Sequence, residues 1–359
     1  MKQDRQHLTA APKISRPARS GQLGFSLVEL LVSITIFLIA STAMYGLMDI
    51  ANKSRTITSE RSDLMKNVRT AMTIVGRDAF NAGYSYPSNS VLLPDNRVST
   101  LLNIPNDTDS TRDKLPPVVA GKNINANNLS GVNTDQVTFV FQDPTFNRNA
   151  NGLSESLPVN EPTLVSMLGL DEIVPLSGNA SSIRVNDLLL VTGRTSTTVG
   201  VVTSIDGSSV RFAGTDILGF NTPTAGDNPM RNIQAPTSLR RINMVTYRVL
   251  PTGVLVRTEY GNDTAATLAN PSHDEPLVYG VERMQVDYVL DGGQLTRNPI
   301  AGPDNIQGTA DDIPSNQVKV RQVRFTMTVR GSTPDQQGHL FSITMTSTFD
   351  TRNLGYDAA

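Results

Sequence analysis

The chain has 359 residues, of which 38% are hydrophobic, 5% aromatic and 18% charged. That length allows one large or two ordinary domains, and the low charge excludes a charge-driven disordered chain. A formal net charge of −2 lacks the basic excess of a nucleic-acid binder, and the absence of Cys excludes disulfides, thiolate metal sites and cysteine nucleophiles. Thr, Asn, Gly, Pro and Val are plentiful, a mixture that suits β-strands joined by long polar loops.

Residues 1–24 are polar and carry Lys2, Arg5, Lys13, Arg16 and Arg19 against a single Asp4. From Phe25 to Met48 there follow 24 residues with one charge, Glu29. About 20 apolar residues span a bilayer as a helix, and a basic leader on the N-terminal side stays in the cytoplasm. Everything after Asp49 is then exported. A secretory signal peptide cut near Ala40-Ser41-Thr42-Ala43 is the alternative, but the apolar run is long for such a signal and leads straight into a helical pattern. A carboxylate within a lipid-compatible run costs on the order of 2.5–3.5 kcal/mol unless hydrated or paired. Nothing basic lies in the run. Glu29 therefore either sits close to the cytoplasmic interface or meets a partner charge, such as an α-amine on Phe25 after a cut at Gly24.

Gly24-Phe25-Ser26-Leu27-Val28-Glu29-Leu30-Leu31-Val32 resembles the class III signal of type IV pilins and their relatives. The resemblance implies that a membrane aspartyl peptidase, the prepilin peptidase, cuts between Gly24 and Phe25 and methylates the new N-terminal Phe25. It also implies that Glu29 pairs with the terminal amine of a neighbouring subunit during fibre assembly.

The helical pattern continues beyond Met48. Ile50, Ile57, Leu64 and Ala71 recur every seven residues, with Leu47, Val68, Met72, Val75 and Ala79 on the neighbouring stripe. Charged residues, among them Lys53, Glu60, Arg61, Arg77 and Asp78, lie between them, so the helix is amphipathic. Asn81 and Gly83 supply a stop and Pro87 prevents resumption. From Phe25 to Phe80 such a helix is roughly 84 Å long at about 1.5 Å per residue. Ser54 and Arg61 break the second stripe, which favours packing on a sheet over a coiled-coil stalk.

Residues 85–133 read as polar loops with short strands. Alternation then marks QVTFVFQ, with Val137, Phe139 and Phe141 on one face. Ile183–Val191 and Thr198–Ile205 are β-branched runs, and Asp206-Gly207 before Val210 is a hairpin signal. Further alternations are Val245/Tyr247/Val249, Val254/Val256, Met284/Val286/Tyr288/Leu290, Val323/Phe325/Met327/Val329 and Phe341/Ile343/Met345. They are of the antiparallel type, half-buried on one face. In VKVRQVRFTMTV the apolar parity changes after Val320, so either a β-bulge lies there or the strand begins at Gln322.

The expected fold is α+β: a long N-terminal helix, transmembrane in its first half, packed on an antiparallel β-sheet, with a β-rich insertion. The expected parts are a leader over 1–24, a helix over 25–83 that crosses the membrane over 25–48, and an exported head over 84–359 with the insertion around 134–240. Arg77-Asp78-Ala79-Phe80-Asn81-Ala82-Gly83-Tyr84, YRVLPTGVLVR, VERMQVDYVLDGG, VRQVRFTMTVRG and the closing Thr351-Arg352-Asn353-Leu354 resemble, in order, segments of PilW-type minor pilins. Many minor pilins carry a C-terminal disulfide, which this chain lacks, so its C-terminal region must be held by other means. The resemblance implies a structural subunit of a type IV pilus rather than an enzyme. Its partners would be the prepilin peptidase, other major and minor pilins, the inner-membrane assembly platform and the lipid bilayer. It implies an inner-membrane location with the head in the periplasm, then a place in the surface fibre. A J-type pseudopilin of a type II secretion system and a signal-anchored periplasmic enzyme are the alternatives.

Asp291, Asp304, Asn305, Asp311 and Asp312 place oxygen donors in a Gly-rich stretch, the ligand type that Ca²⁺ takes. Ile306 interrupts the alternation of an EF-hand loop, and no Glu closes it, so solvated turns are the simpler reading. His7, His273 and His339 form no catalytic pattern, and no G-x-S-x-G, H-E-x-x-H or P-loop occurs. No basic–aromatic stripe for nucleic acid is evident.

Overall fold

The computed structural model describes residues 24–87, 90–105, 112–151, 153–158, 171–175, 182–194, 196–206, 209–221, 229, 233, 237–304, 306–309, 311–335 and 337–352. The fold is α+β. In chain order the elements are α1 (Leu27–Asn81), β1 (Val91–Leu92), α2 (Arg97–Leu102), β2 (Lys114–Leu115), β3 (Val118–Asn125), β4 (Thr134–Gln142), β5 (Leu157–Pro158) and β6 (Asp171–Pro175). There follow β7 (Leu188–Thr192), β8 (Thr197–Val201), β9 (Ser204–Asp206), β10 (Ser209–Ala213), β11 (Ser238–Val249), β12 (Leu255–Tyr260) and β13 (Ser272–Val278). The last are β14 (Val281–Leu290), β15 (Leu295–Thr296), a 3₁₀ turn (Pro314–Lys319), β16 (Val320–Pro334) and β17 (Leu340–Asp350). The chain divides into two compact units, Met1–Thr56 and Ile57–Ala359, with the boundary inside α1.

In the first unit, the apolar side chains of α1 are exposed among the described residues. Leu27, Ile36, Phe37, Ile39 and Met44 are all more than half exposed. By length and composition α1 can cross a membrane. Three of its hydroxyl groups bond back within the helix: Ser33 donates to the Glu29 carbonyl at 2.8 Å, Thr35 to the Val32 carbonyl at 2.8 Å and Thr42 to the Leu38 carbonyl at 2.8 Å. Such back-bonding lets polar side chains reside in hydrocarbon without orphaned groups.

In the second unit, Val68, Ala71, Met72, Val75 and Ala79 of α1 are buried against the main core. That core draws Val137, Phe139 and Phe141 from β4, Val245, Tyr247 and Val249 from β11, and the inward residues of β14 and β16. α1 ends at Asn81, and Gly83 follows with φ 83°, a conformation that glycine adopts without steric cost. The Gly83 amide donates to the Val140 carbonyl at 3.0 Å, and the Tyr84 carbonyl accepts the Gln142 amide at 3.0 Å, tying the helix exit to β4.

Among the described residues the strands form three sheets. The largest runs β13-β12-β11-β7-β8-β1-β2, with β3, β4 and β5 attached around β11. β11 is the organising strand: Ser238–Arg241 pair with β7, and Ile242–Tyr247 pair with β4. The second sheet is β6-β10-β9 and the third is β15-β14-β16-β17. All pairings are antiparallel except the single bridge of Leu92 to Thr198 between β1 and β8.

β4 is buried along its whole length, not on one face. Val140, with Ile242 and Met244 of β11, turns into a second core formed with Leu188, Leu190, Val199 and Val201, which covers the face that alternation alone leaves to solvent. The parity change in VKVRQVRF is a bulge: Val289 pairs with Gln322 but Leu290 with Val320, so the strand skips Arg321. β9 and β10 form the hairpin expected at Asp206-Gly207, with Ser209 opposite Asp206.

Candidate functional site

The motif residues lie at the entrance to α1. Gly24, Phe25 and Ser26 are non-helical, and the helix begins at Leu27. Phe25 is 75% exposed. Ser26 begins the hydrogen-bond ladder: its carbonyl accepts the Leu30 amide at 3.1 Å and its Oγ accepts the Glu29 amide at 3.1 Å. Glu29 is exposed in the first turn, where a carboxylate favours the positive end of the helix dipole. The three residues singled out in the sequence therefore stand together: a bond outside the helix, an aromatic residue behind it, and an acid one turn into the helix.

Residues 19–45 match the family model described as Prokaryotic N-terminal methylation motif. The motif supports a type IV pilin-like chain. No curated protein matches the sequence, and no solved structure matches the fold. In a pilin-like chain this N-terminus implies processing by prepilin peptidase and assembly with other pilins. The apolar helix and the motif fit an inner-membrane anchor, and they point to a structural subunit, either pilin or pseudopilin.

The oxygen-rich stretch before β16 is arranged differently from a closed ligand cage. Asp291 pairs with Arg321 at 3.1 Å, at the base of β16. Asp304, Asp311 and Asp312 bond within their own loop. The Asp304 amide donates to Asp311 Oδ2 at 3.3 Å, Thr309 Oγ1 donates to Asp311 Oδ1 at 2.7 Å, and the Gly308 amide donates to Asp312 Oδ2 at 2.7 Å. The hydrogen bond from Thr309 holds the Asp311 carboxyl below its ordinary range. Asn305 lies outside the described residues. Among the described residues no group of three or more His, Asp or Glu side chains converges as on a metal ion.

His273 sits on β13 opposite Glu259, and His339 lies 3.9 Å from Asp335 on an exposed turn. His7 lies outside the described residues.

Sequence reading missed the carboxylates that hold the head together. Asp78, which falls among the charged residues of an amphipathic helix, is buried. It accepts hydrogen bonds from Tyr247 at 2.7 Å and from Arg257 Nε at 2.8 Å. Asp135, also buried, accepts the amides of Asn123 and Val286 at 2.8 Å each and two contacts from Arg297 Nη2 at 3.2 and 3.1 Å. It thereby joins the β3–β4 pair to β14 of the third sheet. Buried charges persist only with such partners.

Proposed function

We propose that this chain is a PilW-like minor pilin, a structural subunit of a type IV pilus that serves pilus assembly. The observation that carries the reading is the Gly24-Phe25…Glu29 motif at the head of a helix whose apolar side chains are left exposed. The leader stays in the cytoplasm, the helix over 25–48 crosses the inner membrane and the head enters the periplasm. Prepilin peptidase cuts after Gly24 and methylates Phe25. The freed helix then passes to the assembly platform and packs among major and minor pilins, where a neighbouring α-amine neutralises Glu29. The segments that resemble PilW-type proteins support the finer reading. They form the end of α1 and the strands β11, β12, β14 and β16, whose inward residues share one core.

Glu29→Val tests the mechanism. The variant is expected to insert and be cut as the wild type is, yet to be missing from sheared fibres. Normal incorporation contradicts the role. The same motif also fits a J-type pseudopilin of a type II secretion system. Deletion separates the two: loss of surface pili with intact enzyme secretion supports the minor pilin, and the reverse supports the pseudopilin.

A further inference from the structure

The processing reading assigns roles to Gly24, Phe25 and Glu29 but none to Ser26, whose contacts are the most specific of the four. Its backbone is non-helical, its carbonyl accepts the Leu30 amide at 3.1 Å, and its Oγ accepts the Glu29 amide at 3.1 Å. These are the features of an N-cap. Ser26-Leu27-Val28-Glu29 also has the spacing of a capping box, with the acid at the third helical position.

The cap has a consequence for the bond two residues upstream. A peptide bond inside a helix has its amide and carbonyl committed to the helix ladder, whereas an extended segment offers them to a partner. With α1 stopped at Ser26, the Gly24–Phe25 bond stays outside the helix ladder. Gly24 adds a separate observation. A Cβ placed on it meets nothing within 4 Å, and its φ is outside the left-handed region. Among the described residues nothing requires its small size, which leaves no side chain of its own between the bond and an approaching protein.

We propose that Ser26 is a positioning residue for processing: its cap holds the helix off the Gly24–Phe25 bond and so presents that bond as non-helical backbone to the peptidase. This rests on the processing proposed above. Hydrolysis breaks the Gly24 C–Phe25 N bond. Water supplies the hydroxyl that completes the Gly24 carboxyl group and the proton that leaves Phe25 as an amine, and Ser26 makes no bond. Without the cap, the Glu29 amide loses its acceptor, and the helix either frays or grows a further turn toward Ser20, the next hydroxyl residue upstream, so that the Phe25 carbonyl takes that amide. Beside an apolar run, fraying leaves amides in hydrocarbon, so growth wins and takes the scissile bond into the helix.

The test uses the full chain in membranes with purified prepilin peptidase, comparing wild type, Ser26→Ala, Ser26→Thr and Ser26→Asn. Cut product is followed by mass spectrometry. Cα chemical shifts of Gly24 and Phe25 are read on uncut chains in micelles. Ser26→Ala is expected to be cut roughly fivefold more slowly, the factor that loss of a typical cap implies, with helical shifts at Phe25. Thr and Asn, which also cap, keep the wild-type rate and non-helical shifts. Wild-type cutting of Ser26→Ala, or slowing by Thr and Asn as large as by Ala, overturns the proposal. A wild-type chain that is not cut at Gly24 overturns the processing reading and this proposal with it.

Discussion

The Tyr247 hydroxyl donates to the Asp78 carboxylate at 2.7 Å across 169 residues of sequence. Arg257 reaches the same oxygen at 2.8 Å, so a helix residue, a residue of β11 and a residue of β12 meet on one buried acid. Burial, and then the Asp78 charge, push the Tyr247 phenol far up, so it remains a donor. Burial alone lowers the affinity of the Arg257 guanidinium for its proton, but Asp78 beside it outweighs that and holds it charged.

Removing the acid from such a cluster takes the acceptor from two donors, the Tyr247 hydroxyl and Arg257 Nε, whereas removing the phenol leaves the acid its arginine. Asp78→Ala is expected to destabilise the folded head by about 2–4 kcal/mol, because the Tyr247 hydroxyl and Arg257 Nε lose their buried acceptor while Glu259 keeps Arg257 Nη1 paired at 3.0 Å. Tyr247→Phe removes one hydrogen bond and costs about 1–2 kcal/mol, since Arg257 still serves Asp78. Urea unfolding of the detergent-solubilised full chain checks both. Equal costs for the two variants contradict the ranking.

The C-terminal strand is held without a disulfide. Thr351 Oγ1 donates to the Val320 carbonyl at 3.0 Å, and the Thr351 amide donates to Arg321 at 2.9 Å. Arg352 then lies over the rings of Phe80 and Tyr84, with Cζ at 4.6 and 5.1 Å from their centroids. Arg352→Ala is expected to cost about 0.5–2 kcal/mol, and Arg352→Lys less than Ala, because an ammonium keeps the cation but not the planar stack. Hydrogen exchange at the amides of β17 locates the loss. Unchanged protection there in Arg352→Ala contradicts the clasp.

Glu60 couples stability to pH. Burial pulls its carboxyl up, but hydrogen bonds from Thr333 and Ser332 outweigh that and bring it from 4.5 to about 2. A carboxyl depressed in the folded state stabilises the fold fully above its unfolded value and loses that contribution as pH falls through the folded value. The contribution is therefore present at neutral pH and is lost between about 4.5 and 2. Glu60 is largely solvated, so the effect is small. Melting temperature is expected to fall across that window in the wild type and to fall less steeply in Glu60→Gln. Identical profiles contradict the role.

What was legible in the sequence was local. Asn81 and Gly83 stop the helix where it ends, because capping is a matter of neighbouring residues. Strand alternation located β4, β11, β14 and β16, because side-chain direction has period two. The N-terminal motif was legible because its residues lie within one turn of each other. Asp78 reads as one more charge of an amphipathic helix because Tyr247 and Arg257, which bury it, lie 169 and 179 residues away. Alternation leaves Val140 to solvent for a similar reason, since the second core that covers it draws on β7 and β8, more than forty residues later. The clasp of Arg352 on Phe80 joins the two ends of the head and leaves no local trace.

N-terminal mass spectrometry of the chain recovered from its native membrane tests the central claim most directly. Processing after Gly24 predicts a mature protein that begins at N-methylated Phe25, with formal side-chain charge moved from −2 to about −6 by loss of the leader. An intact leader, or a new N-terminus near Ala43, contradicts it.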